Sequence, residues 1–185
     1  NNKVRSSNGI KKANVKATAA MSLHLLSINL PRLAYESNKD ETYFRAKLAL
    51  MIKPSLAAMS LRKKTIVDYV KKGMIPAFAG ASQLMQMGTA SIAVNLTGTR
   101  ESVYNILGES SSEVLQKVLK TAAEVTNGQG KLLGEEGAGI AMVSDDSGSR
   151  FAILDSEKYG KVSLLQSQNT TSYSQGMMLN GRDIL

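Results

Sequence analysis

The chain has no cysteine, no tryptophan, one histidine and three phenylalanines among 185 residues. Without cysteine there is no disulfide, no thiolate metal site and no thiol nucleophile. A single histidine, His24, cannot build a metal cluster by itself. It also leaves the serines without a second imidazole to activate them, which argues against a hydrolytic triad. Lying between Leu23 and Leu25 in an apolar run, His24 reads as a core or lining residue rather than a ligand. With so few aromatics, nine methionines and many Leu, Ala and Ile must fill the interior, giving a core less defined in shape. No apolar run reaches the roughly 18 residues that cross a bilayer, and no basic, apolar, small-residue leader opens the sequence. The expectation is a cytoplasmic chain with no membrane partner. Its first residue is Asn1 rather than Met, which suggests a processed product or a section of something longer.

What is present is ample for folding: 43% hydrophobic residues can build the core of one ordinary domain. The net charge of +8 favours polyanionic neighbours such as nucleic acid, nucleotide phosphates or an acidic protein surface. The basic residues gather near the N-terminus (Lys3, Arg5, Lys11, Lys12, Lys16) and around Arg62, Lys63, Lys64, Lys71 and Lys72. A solvated helix face explains these groups about as well as a binding patch. No aromatic side chains interleave with these lysines as stacking platforms for bases.

Residues 1–18 are rich in Asn, Ser, Lys and Gly without periodicity and read as a flexible basic arm or truncated loop, leaving residues 19–185 as the folded part. The first expected element is a strand near 22–29, apolar enough to be covered on both faces and stopped by Pro31. Ser37, Asn38 and Asp40 are plausible N-caps for a long helical pattern through Phe44, Leu48, Met51, Ile52, Leu56, Met59, Ile66, Val67 and Val70, with Gly73 as its stop. Pro54 inside that pattern predicts a kink or two helices meeting. A second strand is expected over Ala90–Leu96. A short helix capped by Thr99 and ended by Gly108 follows, then a helix opened by Ser110–Ser112 and closed at Asn127-Gly128. Third and fourth strands are expected near Ile140–Val143 and Val162–Gln166. Strand alternating with helix predicts an α/β fold with parallel strands.

In such sheets ligands gather at the carboxyl ends of the strands. That rule selects Asn29 and Arg32; Asn95, Thr97, Gly98 and Thr99; Ser144 through Arg150, including Ser149; and Gln168, Asn169, Thr170, Thr171 and Ser172. These groups can hydrogen-bond sugar hydroxyls and phosphates. Each also has a plainer role. Asn29 before Leu-Pro can hold a turn, and Thr97-Gly98-Thr99 can simply cap a helix, although N–H groups at a helix start also accept phosphate. Asp145-Asp146 has the look of paired carboxylates for acid/base or Mg²⁺ work, but a Ser/Gly-rich turn favours Asp for local hydrogen bonds.

The run Leu26-Ser27-Ile28-Asn29-Leu30-Pro31-Arg32-Leu33-Ala34-Tyr35 resembles the Asn-Leu-Pro-Arg signature of the anaerobic, class III ribonucleoside-triphosphate reductases. Further segments are similar in the same order: Tyr69-Val70-Lys71-Lys72-Gly73-Met74-Ile75-Pro76; Ala90-Ser91-Ile92-Ala93-Val94-Asn95-Leu96; Thr99 through Gly108; and Ser149-Arg150-Phe151-Ala152-Ile153-Leu154-Asp155 through Tyr159. Met142–Ser149 lacks the proline and the aromatic residue of the corresponding family segment. Asn169 through Tyr173 only loosely matches its Tyr-Thr-Asn-Ser segment.

The resemblance implies a partial, parallel-stranded α/β barrel of the glycyl-radical type over residues 19–185. It implies ribonucleoside triphosphates as substrates, reduced by a thiyl radical on a cysteine that a glycyl radical generates. This segment, lacking that cysteine, would supply pocket walls and be inactive alone. Asn29 is the residue carried over to the reacting pocket, and Asn95, Thr97, Gly98, Thr99, Ser149, Arg150 and Asn169 are the candidate substrate contacts. No cofactor is expected on the segment; the glycyl radical and zinc belong to the family's full-length chain. Implied partners are the remainder of that chain, a radical-SAM activating enzyme and, at full length, a second copy. From a different class, the alternative is a reductase-derived basic module that has lost its radical chemistry and binds RNA or a larger assembly. A partial barrel also leaves strand edges unpaired, which predicts association.

Overall fold

The computed structural model describes residues 21–81, 90–143, 145–160, 162, 172–174, 178–179 and 182–183. The basic arm over 1–18 and Asn169 lie outside them, as does the fourth expected strand apart from Val162. Strand β1 (Met21–Asn29) runs directly into α1 (Leu30–Glu36), and α2 (Glu41–Lys71) leads through a 3-10 turn (Pro76–Ala81) towards β2 (Ala90–Thr97). Helices α3 (Thr99–Leu107) and α4 (Ser112–Leu133) connect β2 to β3 (Gly139–Ala141), and α5 (Ser147–Tyr159) follows. A two-residue antiparallel ladder joins β4 (Met178–Leu179) to β5 (Arg182–Asp183).

The three long-range strands form a parallel sheet in the order β1-β2-β3, with Ser27 opposite Asn95, Asn29 opposite Thr97, and Asn95 opposite Ala141. Parallel neighbours need a crossover, and helices supply both of them here. The α/β class with parallel strands expected from the sequence is therefore the one observed. Alternation along β1 and β2 sends Leu26, Ile28, Ile92, Val94 and Leu96 towards α2 and α4, where they meet Phe44, Leu48, Ile52, Leu56, Leu115, Val118 and Ala122 in one core. Glu135, nearly buried just after α4, is tied to α2 by Ser60 Oγ (2.9 Å) and Lys63 Nζ (2.6 Å). Among the described residues no helix is long and apolar enough to cross a membrane.

Several local expectations are corrected. Pro31 does end the strand, but the chain enters a helix at once, and proline in a first turn costs no hydrogen bond. Of the two outcomes expected at Pro54, two separate helices are not observed: α2 runs through it as one helix, and Pro54 is exposed, so the carbonyl it leaves without a donor can face water. Gly98, not Thr99, is the N-cap of α3. The helix α4 continues past Asn127-Gly128 to Leu133 and is closed by Gly134; Gly130 lies in its buried face, where a Cβ would stand 2.8 Å from Glu135 O and 2.9 Å from the Ala138 Cβ. Nor is β1 covered on both faces along its length, since Leu25 is 41% exposed on the side away from α2.

Candidate functional site

Where β1 and β2 end, the face of the sheet opposite the helical core carries Ser27, Asn29, Asn95 and Thr97, which alternation sets beside one another. Three polar clusters gather there.

The first surrounds Asp155 of α5, which is fully buried. Its Oδ2 accepts from Asn29 Nδ2 at 2.8 Å and from the Tyr173 hydroxyl at 2.9 Å. Its Oδ1 accepts from Arg32 Nε at 2.7 Å and pairs with Arg32 Nη2 at 2.6 Å. Asn29 is at the same time the N-cap of α1, its Oδ1 accepting from Arg32 N–H at 3.1 Å. The side chain is thus held at both ends, while one hydrogen of its amide nitrogen has no partner among the described residues. Burial, and then the hydrogen bond to Asp155, push the Tyr173 hydroxyl well above the ordinary phenol range. Tyr35 stacks on Tyr159 with ring centroids 4.8 Å apart, joining α1 to α5 beside this cluster.

The second cluster surrounds Asn95, which is completely buried and fully occupied. Its Nδ2 reaches Ser27 Oγ (3.1 Å), Val143 O (3.2 Å) and Asp145 Oδ2 (3.2 Å), and its Oδ1 accepts from Val143 N–H at 3.0 Å. Asp145 also accepts from Ser27 Oγ at 2.8 Å, and from both the N–H (2.9 Å) and the hydroxyl of Ser147. Thr97 Oγ1 lies 3.0 Å from Ser147 Oγ. In this turn Asp145 makes the local bonds that Asp makes at a helix start.

The third cluster joins α3 to the segment 172–174. Buried Glu101 accepts from Ser174 N–H at 2.8 Å and from the Ser174 hydroxyl, and Gly98 N–H donates to Ser174 O at 2.9 Å. Gly98 sits at φ +73°, and a Cβ on it would lie 2.4 Å from Pro31 Cγ, so only glycine lets β2 end this close to α1.

The residues expected from the sequence fall into distinct positions. Asn29 lies at the mouth of the arrangement, half-buried. Asn95, Thr97, Gly98 and Thr99 are buried behind it. Ser149 donates to Asp146 O at 3.2 Å. Arg150 is exposed and lines, with His24, Ser27, Met59, Arg62 and Phe151, a cleft of about 460 Å³ along the outer edge of β1. There burial, and then the Arg62 charge, hold His24 below the usual imidazole range. Asp155, Tyr173 and Glu101 were not singled out by sequence reasoning. Among the described residues no three His, Cys, Asp or Glu side chains group to hold a metal ion.

Residues 3–180 match the family model described as anaerobic ribonucleoside-triphosphate reductase. Among solved structures, the anaerobic ribonucleotide reductase from Thermotoga maritima with citrate in the active site matches with a TM-score of 0.67 and 21% identity, over 81% of this chain and 28% of that one. The same enzyme in complex with dATP and CTP gives a TM-score of 0.67 and 21% identity, over 81% and 26%. With glycerol in its active site it gives 0.64 and 21%, over 74% and 24%. At this identity the likeness is one of fold, and the chain spans about a quarter of the length of the structures it matches. No curated protein matches in sequence.

Proposed function

Because the chain belongs to the anaerobic ribonucleoside-triphosphate reductase family, we propose that it forms part of the wall of a nucleotide-reducing barrel and that Asn29 offers its side-chain amide to the ribose of a ribonucleoside triphosphate. The observation that supports this reading best is the way Asn29 is held. Its oxygen is fixed by Arg32 N–H, one amide hydrogen by Asp155, and the other is left for a ligand at the carboxyl end of a parallel strand. Asn95, Thr97, Gly98 and Thr99 stand behind it as the layer that fixes the strand ends. Exposed Arg150 offers donors to the triphosphate from α5; Ser149 would join it by exchanging its bond to Asp146 O, and Asn169 is a further proposed contact.

A glycyl radical would generate the thiyl radical that abstracts hydrogen from the ribose, and zinc would be held by cysteines near the glycyl-radical segment. With no cysteine in the chain, no thiolate here can hold zinc or carry the thiyl radical. On this reading both belong to the remainder of a longer chain, which would work in the cytoplasm with a radical-SAM activating enzyme and as a homodimer. Nothing in the fold favours the basic binding module; of its basic group, Lys63 is already paired with buried Glu135.

The test uses the natural polypeptide that contains Asn29, activated without oxygen, with deoxyribonucleotide formation measured for each ribonucleoside triphosphate. The wild type should form product. Asn29→Ala should lower kcat/KM by about ten- to a hundredfold, the value of one hydrogen bond made in a desolvated site. Absence of product, or an Asn29→Ala enzyme with unchanged kinetics, overturns the reading.

A further inference from the structure

Glu101 is wholly buried in the first turn of α3, and the proposed reaction makes no use of it. A buried carboxylate needs partners. This one takes both from Ser174, 73 residues away, through its N–H and its hydroxyl. The described residues 172–174 belong to no helix or strand, so side chains and neighbouring backbone must supply the bonds that regular structure would give. Gly98 N–H to Ser174 O at 2.9 Å and Tyr173 N–H to Gly148 O at 3.3 Å complete the set. Tyr173, the residue beside Ser174, is fully buried, and its hydroxyl reaches the same Asp155 oxygen that accepts from Asn29. Contact is therefore continuous from Glu101 through Ser174, Tyr173 and Asp155 to Asn29.

We propose that Glu101 is a positioning residue: by pinning Ser174 it sets Tyr173 against Asp155 and thereby fixes the amide of Asn29. The functional half of this role rests on the reading of Asn29 as a substrate-pocket residue. A carboxylate suits the task because its two oxygens accept the two donors of Ser174 together. Glutamine keeps one oxygen for the Ser174 N–H, and its amide can donate to the hydroxyl, which rotates to accept. Alanine removes both bonds.

The Arg32 N–H is bonded to Asn29 Oδ1 and so reports on the Asn29 side chain without reference to catalysis. Hydrogen exchange at the Ser174 and Arg32 amides of the natural polypeptide is compared for wild type, Glu101→Ala and Glu101→Gln. With Glu101→Ala both amides should exchange faster by at least about tenfold, and with Glu101→Gln both should return close to wild type. In turnover, Glu101→Ala should lower kcat/KM, and added to Asn29→Ala it should cost nothing further, because both act on one amide. Faster exchange at Ser174 with Arg32 unchanged, or effects of the two substitutions that simply add, overturns the positioning role. A polypeptide in which Asn29→Ala leaves turnover untouched overturns the pocket reading instead, and the Arg32 amide still decides Glu101. If Glu101→Ala does not fold, Ser174→Ala removes only the hydroxyl bond and is read the same way with a smaller shift.

Discussion

On one face of the parallel sheet Leu26, Ile28, Ile92, Val94 and Leu96 pack against α2 and α4, whereas on the other Ser27, Asn29, Asn95 and Thr97 take the alternate positions of the same two strands. The apolar face gains from area removed from water, which is non-directional and tolerates small shifts. The polar face gains nothing unless each buried group meets a partner at hydrogen-bond distance, so it fixes geometry more strongly than it stabilises. That division places rigidity where a ligand would need it. It also explains why the partners on the polar face come from α5, α3 and the 172–174 segment: the strands supply the groups and distant elements satisfy them.

If stability resides in the apolar face, Phe44→Ala, at a position with no exposure, should be the most damaging single change, at about 3–5 kcal/mol. Denaturation of the natural polypeptide, with exchange of α2 amides as the local readout, measures it; turnover per folded molecule should be unchanged. A cost below about 1 kcal/mol would break the comparison. Gly98→Ala sharpens it at the point where the polar face meets α1. An added Cβ would be strained at φ +73° and forced onto Pro31, costing roughly 2–3 kcal/mol. Unlike Phe44→Ala, it should also lower turnover per folded molecule, because Asn29 caps the helix α1 against which Gly98 packs.

The strand-helix-strand frame was legible because its helices announce their ends: Asp40 and Ser111 cap α2 and α4, and Gly108 closes α3. The seven-residue α1 was not, since a helix entered through Leu-Pro directly from a strand has no separate capping signal. The continuation of α4 past Asn127-Gly128 goes with the burial of Thr126 and Gly130 on its inner face, packing that outweighs local propensity. In the candidate site, Asn29 could be selected only from its place at the carboxyl end of the first strand and from the family resemblance, and its supports were not legible. Asp155 is 126 residues away and Glu101 bonds across 73. One local signal existed: Phe151, Ala152, Asp155 and Tyr159 share a helical stripe, and an acid on an otherwise apolar stripe is either paired or costly.

Tyr173→Phe tests the polar face with the smallest change. Near neutral pH it removes one hydrogen bond from Asp155, which keeps Asn29 and Arg32, so the cost should be about 1 kcal/mol. The effect should also depend on pH in one direction. In the unfolded chain the phenol titrates near about 10, whereas burial and Asp155 hold the proton more tightly in the folded one. Above that pH the unfolded chain releases its proton first, so the unfolded state binds fewer protons and stability falls as pH rises. Phenylalanine has no such proton. The stability of wild type should therefore fall towards that of Tyr173→Phe as pH is raised from 7 to 11, with the other five tyrosines contributing alike to both proteins. Denaturation curves across that range measure the difference. A gap that stays constant with pH would mean that the polar face does not hold the phenol as a donor, and the path from Glu101 to Asn29 would lose its middle link.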